Sequence, residues 1–561
     1  MERNTSRPSM RAAMFGIGLL LLLAMAAPAL AAQSRLPIYI DLYLGDQDVT
    51  FYGADGWQKN FYGDAFGYDL AVGDFDGDGI SDILVGAGTS ESLSNSRGAG
   101  VGEAYLFFGR TSWPELFDAC TADNCEAATP RLQGSEVPDV IIFGRELGIG
   151  YPDMLGETVW TGDIDGDGFD DIIAPAALGD GPENARRDSG EVYVLFGRPR
   201  NEWPDRIDLL QDEQDIVVFG ADPDDFLYAA DAADIDGDGV DDLLLRSGEA
   251  DGAQDLRAGS GEVYILFGRS RSLWNAVYDV KGVAGPPPDI FILGADAGDC
   301  LGSGMGAADV NGDGIEDLIL AASGGDGPDE DRPDAGEVYI LPGRDRSSWP
   351  PTAIDLDLAT SATSETTVIY GSDANACSKF GLRVTTADVN ADNLSDLLLA
   401  FDQGYSDRYG EFFFGRKTWP STIDLGTELP DISFGWPVPI DLMLCGDING
   451  DGKVDLIGNE FGSGLVRVFC YWKHEEEYPP APPPPGGLNP DYVSVWLASG
   501  YVPEDIVVNE AIFGDGLATA VACADVDGDG HDDLVISARV ADVPDGSRID
   551  MGAVYVILGP L

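Results

Sequence analysis

The chain of 561 residues carries 99 acidic against 32 basic side chains, a formal net charge of −67 at pH 7. So acidic a protein repels nucleic acid and anionic membrane surfaces, which excludes both as partners, while 44% hydrophobic residues are too many for disorder. The 73 glycines and 34 prolines point to short strands and turns rather than helices.

The N-terminus has the pattern of an export signal. Arg3, Arg7 and Arg11 form a basic stretch, Phe15 to Met25 an apolar one, and Ala29-Leu30-Ala31 a small-x-small cleavage site. Residues 1–32 are therefore expected to be a signal peptide, leaving a secreted, cell-surface or periplasmic chain, with no membrane insertion after cleavage. An uncleaved anchor is the alternative, since the apolar run is about long enough to span.

From there one Asp-rich loop recurs seven times, at starts 59 to 89 residues apart. The first repeat, about 54–144, holds DFDGDGISD (74–82), where Asp74, Asp76, Asp78 and Asp82 offer side-chain oxygens and Ile80 its carbonyl. The second (145–220) offers Asp163, Asp165, Asp167 and Asp171 with Phe169, and the third (221–294) Asp234, Asp236, Asp238 and Asp242 with Val240. The fourth (295–371) has Asp309, Asn311, Asp313 and Asp317 with Ile315. The fifth (372–435) has Asp388, Asn390, Asp392 and Asp396 with Leu394, but Ala391 and Asn393 replace its glycines. The sixth (436–514) has Asp447, Asn449, Asp451 and Asp455 with Lys453, and the last (515–561 plus 33–53) Asp525, Asp527, Asp529 and Asp533 with His531.

Around each loop the same neighbours return. An apolar-Gly segment such as VIIFG (140–144) or IVVFG (216–220) precedes it, and an apolar run such as DILVGA (82–87) follows. Then comes an alternating segment such as GEVYVLFGR (190–198), and a Trp-Pro-x-x-Ile-Asp-Leu stretch leads back. Alternation over four to six residues bounded by Gly and Pro is the strand signal. The expected fold is all-β: a seven-bladed β-propeller of four-stranded antiparallel blades over residues 33–561. The last repeat lacks its final segment, and LPIYIDLYLGDQDVTFYGAD (36–55) matches it, so the N-terminal strand should complete the last blade and close the ring.

Hard oxygens at alternate positions of a tight loop suit Ca²⁺, which takes about six to eight of them. A helix-loop-helix calcium hand would need a bidentate Glu at position 12; here Val85, Ala174, Leu245, Leu320, Leu399, Gly458 and Ile536 stand there. Up to seven calcium ions are expected, one per blade, the fifth held least firmly. In this order of Phe-Gly, DxDGDGxxD and Gly-Ala-Pro-like elements the chain resembles the FG-GAP repeats of the integrin α-subunit N-terminal propeller and its bacterial relatives. The resemblance implies a propeller with calcium in the loops joining strands 1 and 2.

Seven cysteines in an exported chain invite pairing. Cys120 and Cys125 could close a local loop; Cys300 and Cys377, and Cys445 and Cys523, lie at similar points of successive repeats, leaving Cys470 odd. Residues 111–139 extend the first blade, and the Pro-rich run from Pro479 to Pro490 forms a stiff spacer in the sixth.

The face opposite the calcium loops carries long acidic connections at 87–101, 177–189, 248–260, 323–335 and 538–551, with Trp57, Tyr62, Tyr151 and Trp436 as candidate contacts. With only His474 and His531, a catalytic triad or His-rich metal centre is hard to assemble, and no acidic pair stands out for glycoside cleavage. The expected function is a non-enzymatic, monomeric, calcium-dependent binding or adhesion module for an extracellular protein or glycan. A lectin-like propeller, an extracellular hydrolase or lyase, and a purely structural surface protein are the alternatives.

Overall fold

A computed structural model describes residues 38–42, 47–54, 64–90, 100–121, 131–145, 151–252, 256–328, 331–351, 353–357, 366–372, 383–390, 392–400, 410–435, 440–450, 453–460, 465–469, 493–496, 506–509, 517–543 and 548–559. The chain divides into Met1–Leu36 and Pro37–Leu561. The first unit, with the expected signal peptide, lies outside the described residues, as do Trp57, Tyr62, Trp436 and the Pro-rich run.

The second unit folds into seven five-stranded sheets. In the second repeat the order from inside outwards is Trp160–Gly162, Asp171–Ala176, Glu191–Leu195, Ile216–Phe219 and Val277–Asp279. The inner strands of the first six repeats neighbour one another in succession, and that of the last, Leu517–Ala524, meets Leu70–Gly73 of the first.

The expected blade needs correcting in two respects. It is five-stranded and mixed, not four-stranded and antiparallel, because a short strand from the following repeat, in five sheets the segment just after its Trp, crosses back and pairs in parallel with the outer strand. Val277 to Asp279, for instance, match Val217 to Phe219. A three-residue strand laid on an outer edge covers its unpaired amides and carbonyls. Nor do the described residues give seven equivalent packed repeats: they form six apolar clusters, each bridging two neighbouring sheets. No cluster among them joins the fifth sheet to the sixth, where many residues lie outside the description.

The N-terminal segment serves two sheets. Val49–Tyr52 pairs antiparallel with Ala553–Ile557 in the last sheet, while Ile38–Asp41 runs parallel to Ile506–Asn509 in the sixth.

The connections between strands 2 and 3 hold a device that their acidity hides. Asp180, Asp251, Asp326 and Asp542 accept backbone hydrogen bonds from residues eight positions on, at 2.7–3.0 Å, closing each loop on itself. The arginine six residues after each Asp reaches across to the next repeat. Arg186 forms a bidentate pair with Asp279 at 2.7 and 2.8 Å and donates to the Gly220 carbonyl at 2.6 Å. Arg257 meets Asp355 at 2.8 Å, Arg332 meets Asp424 at 2.6 Å and Arg548 meets Asp118 at 2.9 Å. Every acceptor ends a fifth strand, so these loops are clamps that hold each borrowed strand in place.

Candidate metal loops

Each Asp-rich loop joins strand 1 to strand 2, at the end of the sheet opposite the arginine clamps. The first Asp shapes the turn. Asp74 Oδ1 accepts from the amides of Gly77 and Asp78 at 2.7 and 3.1 Å, and Oδ2 from Gly79 at 2.9 Å. Asp163, Asp234, Asp309, Asp388 and Asp525 accept from the amides at positions 5 and 6 in the same way, and Asp309 and Asp525 from position 4 as well. Asn393, with φ +64°, takes the left-handed conformation that glycine holds elsewhere, so the fifth loop keeps its shape there without that glycine.

Positions 3 and 5 spend one oxygen each on the loop: Asp76 Oδ1 accepts from Asp78 N at 3.2 Å, and Asp78 Oδ1 from Ile80 N at 3.0 Å. The other oxygens are different. Asp76 Oδ2 and Asp236 Oδ2 are buried without a hydrogen-bond partner, a costly state for a carboxylate unless a cation answers it. Carboxylate oxygens of Asp74, Asp76 and Asp78 lie within 4.8 Å of one another, as do those of Asp163, Asp165 and Asp171, of Asp234, Asp236 and Asp242, and of Asp525, Asp527 and Asp533. Four loops therefore present groups able to hold a metal, and hard oxygens fit Ca²⁺. In the fourth, Asn311 Nδ2 donates to Asp317 Oδ1 at 2.7 Å; turning this amide would offer its oxygen instead. Asp451 of the sixth loop lies outside the described residues.

Position 9 does more than ligation requires. Asp82, fully buried, accepts from Phe75 N at 2.9 Å and, with its other oxygen, from Gly109 N at 2.7 Å. It thus ties the loop to the glycine that ends strand 3. Asp171, Asp242, Asp317, Asp396 and Asp533 make the same pair of bonds. Burial pushes these carboxyls up, Asp82 and Asp242 to about 8, Asp171 to about 9 and Asp317 to about 7. A divalent cation on the same oxygens favours the charged form and reverses the shift.

The loops also touch around the ring. The position-7 side chains, expected only to lend a carbonyl, pack on the preceding loop. A Cβ on Gly77 would stand 2.3 Å from Phe169, one on Gly166 2.8 Å from Val240, and one on Gly528 3.0 Å from Ile80. At position 8, Asp170 accepts from Asp74 N at 2.7 Å, Asp241 from Asp163 N at 3.0 Å and Glu316 from Asp234 N at 3.0 Å. The recurrence of Gly at position 4 and an apolar residue at position 7 was the available sequence signal for this contact.

The FG-GAP repeat family matches residues 66–107, 155–195, 226–266 and 301–341, each containing one loop and its flanking strands. The chain thus carries four FG-GAP repeats. Its β-propeller resembles the integrin α N-terminal domain. It is 30% identical over 195 residues to integrin alpha-PS2 of Drosophila melanogaster, covering 34% of this chain and 12% of that protein. With integrin alpha-4 of Xenopus laevis it shares 28% over 225 residues, covering 39% and 18%. With phosphatidylinositol-glycan-specific phospholipase D of Bos taurus it shares 29% over 174 residues, covering 29% and 19%. The chain thus spans less than a fifth of these relatives' own length. Among solved structures, rhamnogalacturonan lyase YesW aligns with a TM-score of 0.38 at 12% identity, over 90% of this chain and 75% of that one, too distant to bear on function.

Of the other candidate residues, Tyr151 is 67% exposed. Cys120 and Cys523 each belong to a disulfide; Cys125, Cys377 and Cys470 lie outside the described residues. Among the described residues no helix is long and apolar enough to cross a membrane.

Proposed function

We propose that this FG-GAP repeat protein is a calcium-dependent, non-enzymatic binding module of the cell exterior that engages its ligand on the face opposite the Asp-rich loops. The proposed calcium ligands are the carboxylates and amides at positions 1, 3, 5 and 9 of each loop with the position-7 carbonyl. The observation that carries this reading is the pair of buried oxygens without a hydrogen bond, Asp76 Oδ2 and Asp236 Oδ2, each within a cluster of converging carboxylates and approached only to 3.7 and 3.9 Å by a guanidinium.

Support for the face comes from the clamps. Arg186, Arg257, Arg332 and Arg548 fix the strand 2–3 connections to neighbouring repeats, so that surface is pre-organised and its ligand meets little ordering cost. Adhesion to an extracellular protein or glycan is the activity such a surface serves.

Thermal melting of the full chain in calcium and in excess EDTA tests the metal, and an unchanged melt would sink it. Each loop filled at a hundredfold excess over its Kd adds about 2.7 kcal/mol. A glycan array and a pull-down against surface proteins, each with and without calcium, test the binding role. Retention that is indifferent to calcium in both would remove the calcium-dependent binding function.

A further inference from the structure

Three of the loops come with a cation of their own. Arg200 Nη1 stands 3.7 Å from Asp76 Oδ2 of the first loop. Arg271 Nε lies 2.7 Å from Asp165 Oδ2 of the second, and its Nη2 3.6 Å from Asp167 Oδ2. Arg346 Nη1 lies 3.9 Å from Asp236 Oδ2 and 4.0 Å from Asp238 Oδ2 of the third. All three arginines belong to the next repeat, on the short 3-10 turns Arg200–Glu202, Arg271–Leu273 and Arg346–Ser348 that follow strand 3.

These guanidinium groups are built in rather than draped over the surface. Each stacks on an aromatic ring of the preceding repeat: Arg200 on Phe108 at 4.6 Å, Arg271 on Phe196 at 4.5 Å and Arg346 on Phe267 at 4.6 Å. Arg271 also donates to the Gly197 carbonyl at 2.8 Å and Arg346 to that of Gly268 at 3.3 Å. Each therefore meets the position-3 carboxylate of its loop from a held position.

Among the described residues the fourth and seventh loops have no such partner, and their carboxylates make no ion pair. The connections that pack on them, FGRKTWP (414–420) and FGRTSWP (108–114), are two residues shorter and omit the second arginine of the Arg-x-Arg found at 198–200, 269–271 and 344–346. The fourth loop is relieved instead by Asn311 at position 3. The seventh keeps four aspartates. It also sits in the sheet where Val49–Tyr52 closes the ring.

We propose that Arg200, Arg271 and Arg346 are resident counter-cations that weaken calcium binding at the first three loops and hold those loops in shape when calcium is scarce, leaving the seventh as the tightest calcium site, at the seam of the ring. This rests on the reading of the loops as calcium sites. The chemistry is charge count: a site's affinity for Ca²⁺ rises with its net negative charge, and a guanidinium next to a ligand carboxylate cancels one unit.

Terbium(III) titration of the full chain after chelator treatment, with calcium as competitor, tests it. Tryptophans donate to backbone carbonyls within three of the loops, Trp203 to Phe75 at 3.2 Å, Trp274 to Ile164 at 3.2 Å and Trp113 to Val526 at 2.9 Å, so loss of sensitised emission on replacing one of them identifies the first, second or seventh loop. Trp113→Phe should remove the emission of the tightest phase. Arg271→Gln should tighten the phase that Trp274 reports by roughly tenfold, and Arg271→Lys, which keeps the charge, should leave it near wild type. Unchanged affinity in Arg271→Gln, or a tightest phase that survives Trp113→Phe, overturns the proposal while leaving the calcium reading intact. Terbium emission that calcium never displaces overturns the calcium reading itself, and this proposal with it.

Discussion

Arg548 in the last repeat lies 2.9 Å from Asp118 in the first, with both side chains buried and the same guanidinium donating to the carbonyls of Gly53 and Ala54 at 2.9 and 2.7 Å. One residue thus joins the C-terminal repeat, the N-terminal strand and the fifth strand laid on it. Arg548→Met leaves Asp118 as a buried charge short of its partner, and should cost about 3–5 kcal/mol. Chemical denaturation in saturating calcium reads the loss; a loss no larger than that of an exposed ion pair would show that the clamp is not what seals the ring.

Positions 5 and 9 of a loop should part company when calcium is removed. Asp82→Ala strips acceptors from the buried amides of Phe75 and Gly109, at about 1–3 kcal/mol each, whether or not calcium is present. Asp78 is exposed and answers only the amide of Ile80 within its loop. Its change to Ala should lower stability in calcium and leave the melt in EDTA nearly as it was. Paired melts of both variants with and without chelator decide it, and an Asp82→Ala melt in EDTA no lower than that of Asp78→Ala would refute the division of labour.

Glycine at position 4 has a steric reason that a second variant can isolate. Gly77 has φ +74°, and a Cβ there meets Phe169 at 2.3 Å. Gly77→Ala should cost about 1–2 kcal/mol for the backbone conformation and about 1–3 kcal/mol for the clash. Gly79, at φ +85° with open space around it, should show the first cost alone when changed to Ala. Equal losses at the two positions would mean that the neighbouring repeat yields freely.

Glu191 predicts a pH dependence away from the loops. Burial pushes its carboxyl from an ordinary 4.5 up to about 7, while Tyr193 hydroxyl donation and Arg145 act in the opposite direction. Between about pH 4.5 and 7 the folded state therefore holds a proton that the unfolded state has released. Its contribution makes folding weaker as pH rises through that window. Glu191→Gln should flatten this slope, read as the difference in unfolding free energy between variant and wild type from pH 4 to 8. An unchanged slope would place the titration elsewhere.

The sequence by itself determined the repeat, its strands and the Asp-rich loops, because those features are local. A turn that needs Gly at fixed offsets and strands that alternate every second residue write themselves into consecutive positions. It also showed that the segment ending at Tyr52 belongs with the last repeat. What it could not show was which repeat a residue serves. The Tyr-Asp stretch at 278–279 belongs by chain order to the third repeat yet pairs with the outer strand of the second, and Arg186, Phe169 and Arg271 all act on a neighbouring repeat. The acidic strand 2–3 connections gave no sign of their clamps, since the arginine that pins each one finds its aspartate far along the chain. Only the tertiary structure decided the fifth strand, the clamps and the counter-cations, because packing repeats side by side in a ring brings together residues whose separation in sequence carries no local signal.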